Sequence, residues 1–455
     1  MQINLTVRSS PWLVLLILLG SCLFSCEEIG NMKPPPPAPE LSPRAAYLEA
    51  LHYSGLGESQ LVQAWKDAAQ SALGDSVEVA VPFKEIGFFD GAKATAFSYR
   101  IALKKGEQLQ LQLETEPHDK QFFLELFQEE VQAEGPSLKN VFNSEPNEVD
   151  SLVFEVPQDG IYLLRLQAEV LLSARFTLSL YTQPVYGIFP VSGKGNQDVW
   201  SFFGAPRDGG KRKHKGVDIF ARRGTPVVAA MDGVVRSVRD RGLGGKQVWL
   251  SDRQRNQSLY YAHLDSQLVA EDERVKAGDT LGWVGNTGNA KNTRPHLHFS
   301  IYRRGSGAID PYPFIARQSS RLPSLQADTS YLGQLVRVKV NSIRLQSAPN
   351  TRSGNIADLP RYLPLQILAA SKDWYRVSTP NGDDGYVRST QIENMTRAIA
   401  QRELPRATTL LQQPDSSAIP AALLAQPTRV QVVGQMDEFQ LVVGEAGEMG
   451  WVWGE

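Results

Sequence analysis

Cysteine is the scarcest informative residue in this sequence. Only two of the 455 residues are cysteines, Cys22 and Cys26, and both lie within the first thirty positions. This excludes a fold held together by disulfide bonds, and it excludes a cysteine-ligated metal site in the body of the chain. Any metal chemistry therefore has to use histidine and carboxylate side chains.

An excess of one charge is also missing. Lys and Arg total 47 against 49 Asp and Glu, which gives a formal net charge of -2. Without a global field to attract a polyanion, we expect no nucleic-acid partner. Hydrophobic residues make up 42% and charged residues 21%, an ordinary globular composition that excludes wholesale disorder. The length favours about three domains.

Long apolar runs are scarce as well. Residues 11–20 (PWLVLLILLG) are apolar, but this run is shorter than the roughly 20 residues that a membrane-spanning helix requires. With Arg8 before it and small residues after it, the run is typical of a secretory signal peptide. The segment Leu-Phe-Ser-Cys ending at Cys26 resembles a bacterial lipobox, whose cysteine is lipidated, and the segment ending at Cys22 fits the same pattern. We favour Cys26, because processing there leaves no stray thiol in an oxidising compartment; a plain signal peptide with incidental cysteines is the alternative.

The next segments change character twice. Residues 33–43 (KPPPPAPELSP) favour an extended polyproline spacer of about 3 Å per residue, which would hold a folded part away from a membrane anchor. Residues 45–73 carry apolar side chains at helical spacing, interrupted by Gly55 and Gly57, and predict two short helices. From about residue 76 the apolar period becomes two, with turns at 104–106 and 157–160, which predicts an antiparallel β-sandwich.

The C-terminal part contains an internal repeat. A constant offset superposes Leu345 on Leu410 and Val387 on Val452 without a gap, which indicates two copies of one small unit. The first copy (NSIRLQSAPN, LPLQIL, DWYRV, GDDGYVRSTQI) resembles a bacterial SH3-like domain, and the second is a degenerate version of it. Such domains often bind cell-wall peptides, but Trp374 is interpreted as a core residue of the barrel.

Four of the six histidines lie between residues 186 and 315, and the first of them has a carboxylate partner. His214 and Asp218 are four positions apart with Gly216 between them. Both side chains can reach one cation if the chain bends at Gly216.

The other three histidines occur in two further motifs. In Pro-His-Leu-His-Phe, a strand that buries Leu297 and Phe299 presents His296 and His298 on its opposite face, with Cα atoms about 7 Å apart. One imidazole can then bind a metal while the other acts on water; a surface pair on an exposed strand is the alternative. His263 lies in Tyr-Ala-His-Leu, at the end of an aromatic strand, and alone would be a structural histidine.

Taken in order, the motifs H-x-G-x-D, Y-A-H-L and P-H-L-H-F resemble the lysostaphin-type (LytM) zinc metallopeptidases that cut peptidoglycan. The resemblance covers residues 186–315 and includes further matching pieces, among them Phe203-Gly204, Asp232-Gly233-Val234, Gly285-Asn286-Thr287-Gly288 and Asp310-Pro311.

This resemblance implies a site as well as a fold. His214, Asp218 and His298 would be the metal ligands of one zinc ion, with a fourth position for the water that attacks the substrate. His263 and His296 would be the catalytic pair that does not bind the metal, one accepting the proton of the water and the other stabilising the oxyanion. The sequence leaves open which of the two is the general base.

This sequence also departs from the usual pattern of the family at some positions. Arg294 stands where the family most often has Gly, in a loop (NAKNTR) that is more polar and basic than usual, and residues 211–215 (KRKHK) are basic too. These positive charges predict either a rim that attracts the carboxylates of a peptide substrate or simply a solvated loop.

The fold class expected is mainly β and multidomain, with an N-terminal β-sandwich, a central antiparallel β metallopeptidase domain and two C-terminal SH3-like barrels. The expected segments are a lipoprotein signal peptide over 1–26, a proline-rich tether over 27–43, short helices over 44–75, the sandwich over 76–184, the peptidase domain over 185–318, a linker over 319–335, an SH3-like domain over 336–397 and its degenerate copy over 398–455.

The function expected from the resemblance is zinc-dependent hydrolysis of peptide cross-links in peptidoglycan. The lipid anchor on Cys26 would attach the protein to the outer membrane of a Gram-negative envelope, facing the periplasm or the surface. The alternative is a catalytically silent scaffold that binds the wall or activates an amidase with the same fold. A third possibility keeps the chemistry but takes glycine-rich protein as substrate.

Overall fold

The structure is a computed structural model that describes residues 41–132, 135–144, 151–425 and 428–454. The predicted signal peptide, Cys22, Cys26 and almost all of the proline-rich tether lie outside the described residues. Within the described ranges, no helix combines the length and the apolar character needed to cross a membrane. The residues from Ser42 onward form one compact unit.

Two helices open the described chain, α1 (Pro43–Tyr53) and α2 (Gln60–Gly74). The hydroxyls of Ser42 and Ser59 accept hydrogen bonds from backbone amides of the first turns, which is how N-cap residues satisfy such donors. The buried face of α2 packs against the sandwich, where Trp65 Nε1 donates to the carbonyl oxygen of Ala168 at 2.8 Å.

The described residues of the sandwich form nine strands, β1 (Val77–Glu78), β2 (Phe83–Phe89), β3 (Phe97–Leu103), β4 (Glu107–Glu116), β5 (Phe122–Gln132), β6 (Gly135–Asn143), β7 (Ser151–Glu155), β8 (Gly160–Ala168) and β9 (Ala174–Pro184). One sheet has the order β1-β3-β8-β5-β6, and the other contains β2-β9-β4-β7. Alternate apolar residues of β4 (Leu109, Leu111 and Leu113) are buried in the core between the sheets, as a period of two requires.

The central domain contains twelve strands, three single-turn 3₁₀ helices and one short α-helix. Its strands are β10 (Val199–Ser201), β11 (Pro206–Arg207), β12 (Arg212–Lys213), β13 (Val217–Phe220), β14 (Pro226–Val228), β15 (Gly233–Asp240), β16 (Lys246–Asp252), β17 (Gln257–Gln267), β18 (Arg274–Val275), β19 (Thr280–Val284), β20 (His296–Arg303) and β21 (Gly307–Ile309), followed by α3 (Tyr312–Ile315). The main sheet is antiparallel and has the order β10-β13-β20-β17-β16-β15-β18. β13, β20 and β17 are therefore neighbours at its centre.

Two strand clusters complete the chain. The first comprises β22 (Leu335–Val338), β23 (Ser342–Gln346), β24 (Asn355–Pro360), β25 (Pro364–Ser371), β26 (Trp374–Ser378), β27 (Asp384–Arg388) and β28 (Ile392–Asn394). The second comprises β29 (Ala400–Leu404), β30 (Thr408–Leu411), β31 (Pro420–Leu424), β32 (Thr428–Met436), β33 (Phe439–Val443) and β34 (Met449–Trp453). The prediction of a mainly β, multidomain fold is confirmed.

The sandwich and the first C-terminal cluster share one sheet. β2 pairs with β9 on one side and with β25 on the other, with Ile86 opposite Ala370 and Gly87 opposite Ala369. The eleven-stranded sheet that results joins segments far apart in the sequence. Trp374 is buried in this junction, against the core of the sandwich rather than in the core of its own strand cluster.

The central domain contacts the sandwich at the end of its main sheet that is away from the histidines. Arg255, in the turn between β16 and β17, donates from Nε and Nη2 to the two carboxylate oxygens of Glu155, each at 2.8 Å. β17 pairs Gln257 with Arg303 near this contact, whereas Ala262 pairs with His298 five residues further along. The contact therefore lies at the end of β17 away from His298 and its partner Ala262.

Candidate metal centre and active site

The pairing of β13 with β20 brings the predicted residues together. Asp218 lies opposite His298, and Phe220 lies opposite His296. Leu297 and Phe299 are fully buried in the core below the sheet, so the alternation of the strand turns both histidines to the other face.

His214 reaches the same face from the segment that precedes β13. Its amide donates to the carbonyl oxygen of Ala205 at 2.8 Å, and its own carbonyl accepts from the amide of Gly204 at 2.8 Å. Gly216 then passes so close to β20 that a Cβ atom would lie 2.3 Å from the carbonyl oxygen of Phe299. A side chain at this position would push His214 and Asp218 away from His298.

Three ligand atoms converge at this point. His214 Nε2 lies 3.0 Å from Asp218 Oδ1 and 3.0 Å from His298 Nδ1, and the last two atoms are 2.9 Å apart. Nδ1 of His214 faces the carbonyl oxygen of Phe202 at 2.9 Å and donates to it, which leaves the lone pair of Nε2 pointing at the carboxylate in a neutral imidazole.

This arrangement passes a chemical test for a metal site. Lone pairs that face one another at hydrogen-bond distance repel unless a proton or a cation lies among them, and two imidazoles with one carboxylate are a common donor set for a divalent transition metal. The second nitrogen of each imidazole has a partner, Phe202 O for His214 and Ser300 Oγ at 2.9 Å for His298. Such outer partners orient metal-binding histidines. Of the described residues, these three form the cluster able to hold a metal ion.

The groups around Asp218 favour its ionised form. Burial alone would raise the pKa of Asp218, but hydrogen bonds and charge interactions with His214 and His298 bring that pKa well below its ordinary value. Burial lowers the pKa of His298, although the hydrogen bond to Asp218 opposes the shift. Arg207 Nη2 also donates to Asp218 Oδ2 at 2.8 Å, which adds a cation beside the carboxylate.

His263 lies next to this cluster on β17. Its ring centroid is 5.1 Å from that of His296 and 5.7 Å from that of His298. Nδ1 donates to the carbonyl oxygen of Thr287 at 2.9 Å, and the backbone has a φ of 63°, a conformation that non-glycine residues rarely adopt. Burial, with repulsion from His298 and His296, lowers the pKa of His263 to about 4.

The ring of His296 is oriented in the same way as that of His263. Its Nδ1 donates to the carbonyl oxygen of Arg294 at 2.8 Å, and its Nε2 lies 3.9 Å from Asp218 Oδ1. In both His263 and His296 a backbone carbonyl therefore fixes Nδ1 as the protonated nitrogen and leaves Nε2 as the acceptor.

Two aromatic side chains that the sequence did not single out form a stack beside His296. Phe220 stacks on its ring with a centroid distance of 5.0 Å and an interplanar angle of 29°, and Trp200 stacks on Phe220 at 4.7 Å and 18°. Trp200 remains 58% exposed, so this stack extends from the histidines to the surface. The sequence offered one weak indication of this stack. Phe220 is two positions after Asp218 and therefore lies on the same face of β13.

Comparisons with known proteins agree with this geometry. Residues 212–311 match the family described as Peptidase family M23, and residues 341–393 match the family described as Bacterial SH3 domain. All five predicted site residues, from His214 to His298, lie inside the first match.

Curated relatives match stretches of similar length. The chain is 39% identical over 106 residues to the glycyl-glycine endopeptidase ALE-1 of Staphylococcus capitis, covering 22% of this chain and 29% of the relative. It is 39% identical over 103 residues to the peptidoglycan DD-endopeptidase ShyC of Vibrio cholerae, covering 22% of each. A third relative, the uncharacterized lipoprotein YgeR of Escherichia coli, is 38% identical over 114 residues, covering 25% of this chain and 43% of the relative.

The chain spans less than half the length of these relatives. Among solved structures, the catalytic domain of lysostaphin from Staphylococcus simulans is 35% identical, covering 26% of this chain and 89% of that chain with a TM-score of 0.24. The sequence matches and the site residues together identify the central part of this protein as a domain of peptidase family M23, followed by a bacterial SH3 domain.

Proposed function

We propose that this protein is a zinc metalloendopeptidase that hydrolyses peptide cross-links of peptidoglycan. The observation that carries the proposal is the convergence of His214 Nε2, Asp218 Oδ1 and His298 Nδ1 within about one hydrogen-bond length, beside two further histidines that offer Nε2. Relatives of this domain are named as peptidoglycan and glycyl-glycine endopeptidases, which supports the substrate class.

The metal would be held by His214, Asp218 and His298. Two neutral imidazoles and one carboxylate leave a divalent ion with net positive charge, and three protein ligands leave a coordination position open, as in catalytic rather than structural zinc sites. Bound there, zinc would supply Lewis-acid polarisation of the scissile carbonyl and would acidify water near neutral pH.

The two remaining histidines would move the protons. Nδ1 of His263 and of His296 is committed to a backbone carbonyl, so each ring presents Nε2 to the cluster. The ring that accepts a proton from the attacking water becomes an imidazolium with N–H groups on both nitrogens. That ring can then donate to the oxyanion and pass its proton to the leaving amine, while the other orients the reactants.

The alternative is a wall-binding scaffold or an amidase activator that has the same fold and no activity of its own. The complete set of five residues favours the enzyme, because a scaffold needs none of them in a converging arrangement. A peptidase acting on glycine-rich protein would share this site, so only the choice of substrate distinguishes it.

We further propose that Cys26 carries a lipid that anchors the protein to the outer membrane of a Gram-negative envelope. The lipobox-like segment and the relative named as a lipoprotein support this proposal. A Cys26→Ala variant should move from the membrane fraction to the soluble fraction, whereas Cys22→Ala should stay in the membrane. The opposite pattern would assign the anchor to Cys22.

The test of the activity uses the chain from Glu27 onward, mixed with purified sacculi, with the released muropeptides identified by mass spectrometry. Cross-linked dimers should disappear, and the loss should be abolished by a chelator and by His298→Ala. His118→Ala is the matched control, since this histidine is exposed and lies in the sandwich. Intact cross-links in the presence of metal-loaded protein would contradict the proposal and favour the scaffold; cleavage of glycine-rich protein alone would change the substrate.

A further inference from the structure

A ladder of side chains runs along the paired strands β13 and β20 on the face that carries the site. Its first two cross-strand pairs are Asp218 with His298 and Phe220 with His296. The register continues one step beyond the strands, where the amide of Ala221 donates to the carbonyl oxygen of Pro295 at 3.4 Å. Extending this register past the ends of both strands would put Arg222 opposite Arg294 on the same face, because side chains two positions apart in an extended chain share a face.

The two arginines are not used by the fold. Both are exposed, and within the described part of the chain neither guanidinium has a hydrogen-bond or ion-pair partner. Arg223, the neighbour of Arg222, provides the contrast: its guanidinium contacts Asp265 and Asn286. Like charges on opposing positions of paired segments repel one another, and an anion bound between Arg222 and Arg294 would relieve that repulsion.

The surroundings add to this positive charge. Lys213 and Lys215, which flank His214, are exposed and also have no ion-pair partner among the described residues. The acidic side chains nearby are already engaged, Asp208 by Arg212 and Asp218 by Arg207 and the histidines. This end of the site thus carries uncompensated positive charge.

We propose that Arg222 and Arg294 form a subsite for a free carboxylate of the peptide substrate. The inference rests on the proposed function and names the substrate class for the same site: an acidic peptide cross-link rather than a neutral one. A planar guanidinium binds a carboxylate through two parallel hydrogen bonds, and two of them facing one another can clamp a single carboxylate. Arg294 stands where the resemblance leads one to expect Gly.

The spacing along β13 also sets how far the substrate's bound carboxylate lies from the bond that is cut. Asp218 and Arg222 are four positions apart, and at about 3.4 Å per residue this places the two arginines about 14 Å from the metal ligands. An extended substrate peptide of similar rise would therefore have its carboxylate about four residues from the bond that is cut. The intervening pair, the stacked rings of Phe220 and His296, would lie under the apolar part of that stretch.

The experiment compares two substrates and three proteins, all as full chains purified in detergent. The substrates are cross-linked muropeptide dimers with their native carboxylates, and the same dimers with their carboxylates converted to amides. The proteins are the wild type, the double variant Arg222→Ala/Arg294→Ala, and the control Arg236→Ala, an exposed arginine on β15 outside the ladder. Arg294→Ala keeps the backbone carbonyl that accepts the hydrogen bond of His296.

The double variant should raise KM for the native dimers roughly tenfold, with kcat within about twofold of the wild type. The wild type should show the same rise in KM on the amidated dimers, and the double variant should show no further rise. Arg222→Lys/Arg294→Lys should recover part of the loss. Equal effects of the double variant on both substrates, or a fall in kcat alone, would overturn the inference.

A binding measurement separates this inference from the proposed function. Tryptophan fluorescence of the metal-free full chain reports binding of both dimers without turnover. Tighter binding of the native dimers that requires the two arginines supports the subsite even if the loaded protein cleaves nothing. Equal affinity of the wild type for native and amidated dimers would overturn the subsite even if cleavage is fast.

Discussion

The hydroxyl of Tyr386 donates a hydrogen bond of 2.7 Å to Oε2 of Glu85, a residue 301 positions earlier in the chain. Tyr386 belongs to β27 in the bacterial SH3 domain, and Glu85 belongs to β2 of the sandwich. The other oxygen of Glu85 accepts from the hydroxyl of Tyr99, also at 2.7 Å. Burial raises the pKa of Glu85, opposed by the charge of Arg376 and by these two hydrogen bonds. The junction between the two domains therefore contains a buried carboxyl group, that of Glu85, and losing either of its hydrogen-bond donors would destabilise the protein.

Replacing Tyr386 by Phe should destabilise the protein measurably. The substitution keeps the ring but leaves one oxygen of Glu85 buried without its donor, which costs about 1–3 kcal/mol. Chemical denaturation monitored by tryptophan fluorescence would measure the change. The control is Tyr53→Phe, because Tyr53 is 80% exposed and its hydrogen bond to Glu49 is long, at 3.4 Å. Equal unfolding free energies for the two variants would show that the junction does not depend on this bond.

Replacing Ser300 by Ala should weaken metal binding without removing a ligand. Ser300 is fully buried, and its Oγ lies 2.9 Å from Nε2 of His298, where it fixes the orientation of the ring. Loss of such an outer partner typically lowers metal affinity by about 10- to 100-fold. Competition with a fluorescent zinc chelator would measure the affinity, with the exposed Ser306→Ala as control. Unchanged affinity in Ser300→Ala would exclude this positioning role.

Much of the site follows from sequence periodicity. The alternation of β20 predicts that His296 and His298 share a face, and the structure buries Leu297 and Phe299 on the other one. The mainly β character follows in the same way from segments such as β4, whose leucines alternate with glutamines. These are local patterns, and a period of two is visible in one segment by itself.

Contacts between distant segments could not be predicted in this way. No local pattern says that β2 pairs with β25, because an edge strand can accept many partners of the right polarity. The left-handed backbone of His263 has no sequence signal either, since it is imposed by its neighbours. Gly216 was expected to bend the chain, whereas the structure requires a glycine there because β20 passes within contact distance.

Replacing Gly216 by Ala should therefore dismantle the metal centre. The added Cβ would lie 2.3 Å from both the carbonyl oxygen of Phe299 and Oγ of Ser300, so β13 and β20 would have to separate where Asp218 faces His298. We expect loss of stoichiometric zinc binding together with a lower unfolding temperature. Gly187→Ala is the matched control, because a Cβ there meets nothing within 4 Å. Full zinc binding by Gly216→Ala would mean that the strands absorb the methyl group.

Protonation of His263 should make the stability of the metal-free protein depend on pH. Burial and the neighbouring histidines lower its pKa to about 4 from 6.5, so the folded state binds this proton more weakly than the unfolded state does. Stability should then be lost as the pH falls from about 6.5 towards 4, at a limit of about 1.4 kcal/mol for each unit of pKa shift. NMR titration of ¹³C-labelled histidines, with the signal assigned through His263→Gln, would measure the pKa directly. Urea unfolding over the same pH range should show a weaker pH dependence in that variant. A pKa near 6.5 for His263 would contradict the prediction and mean that the ring is not shielded from water.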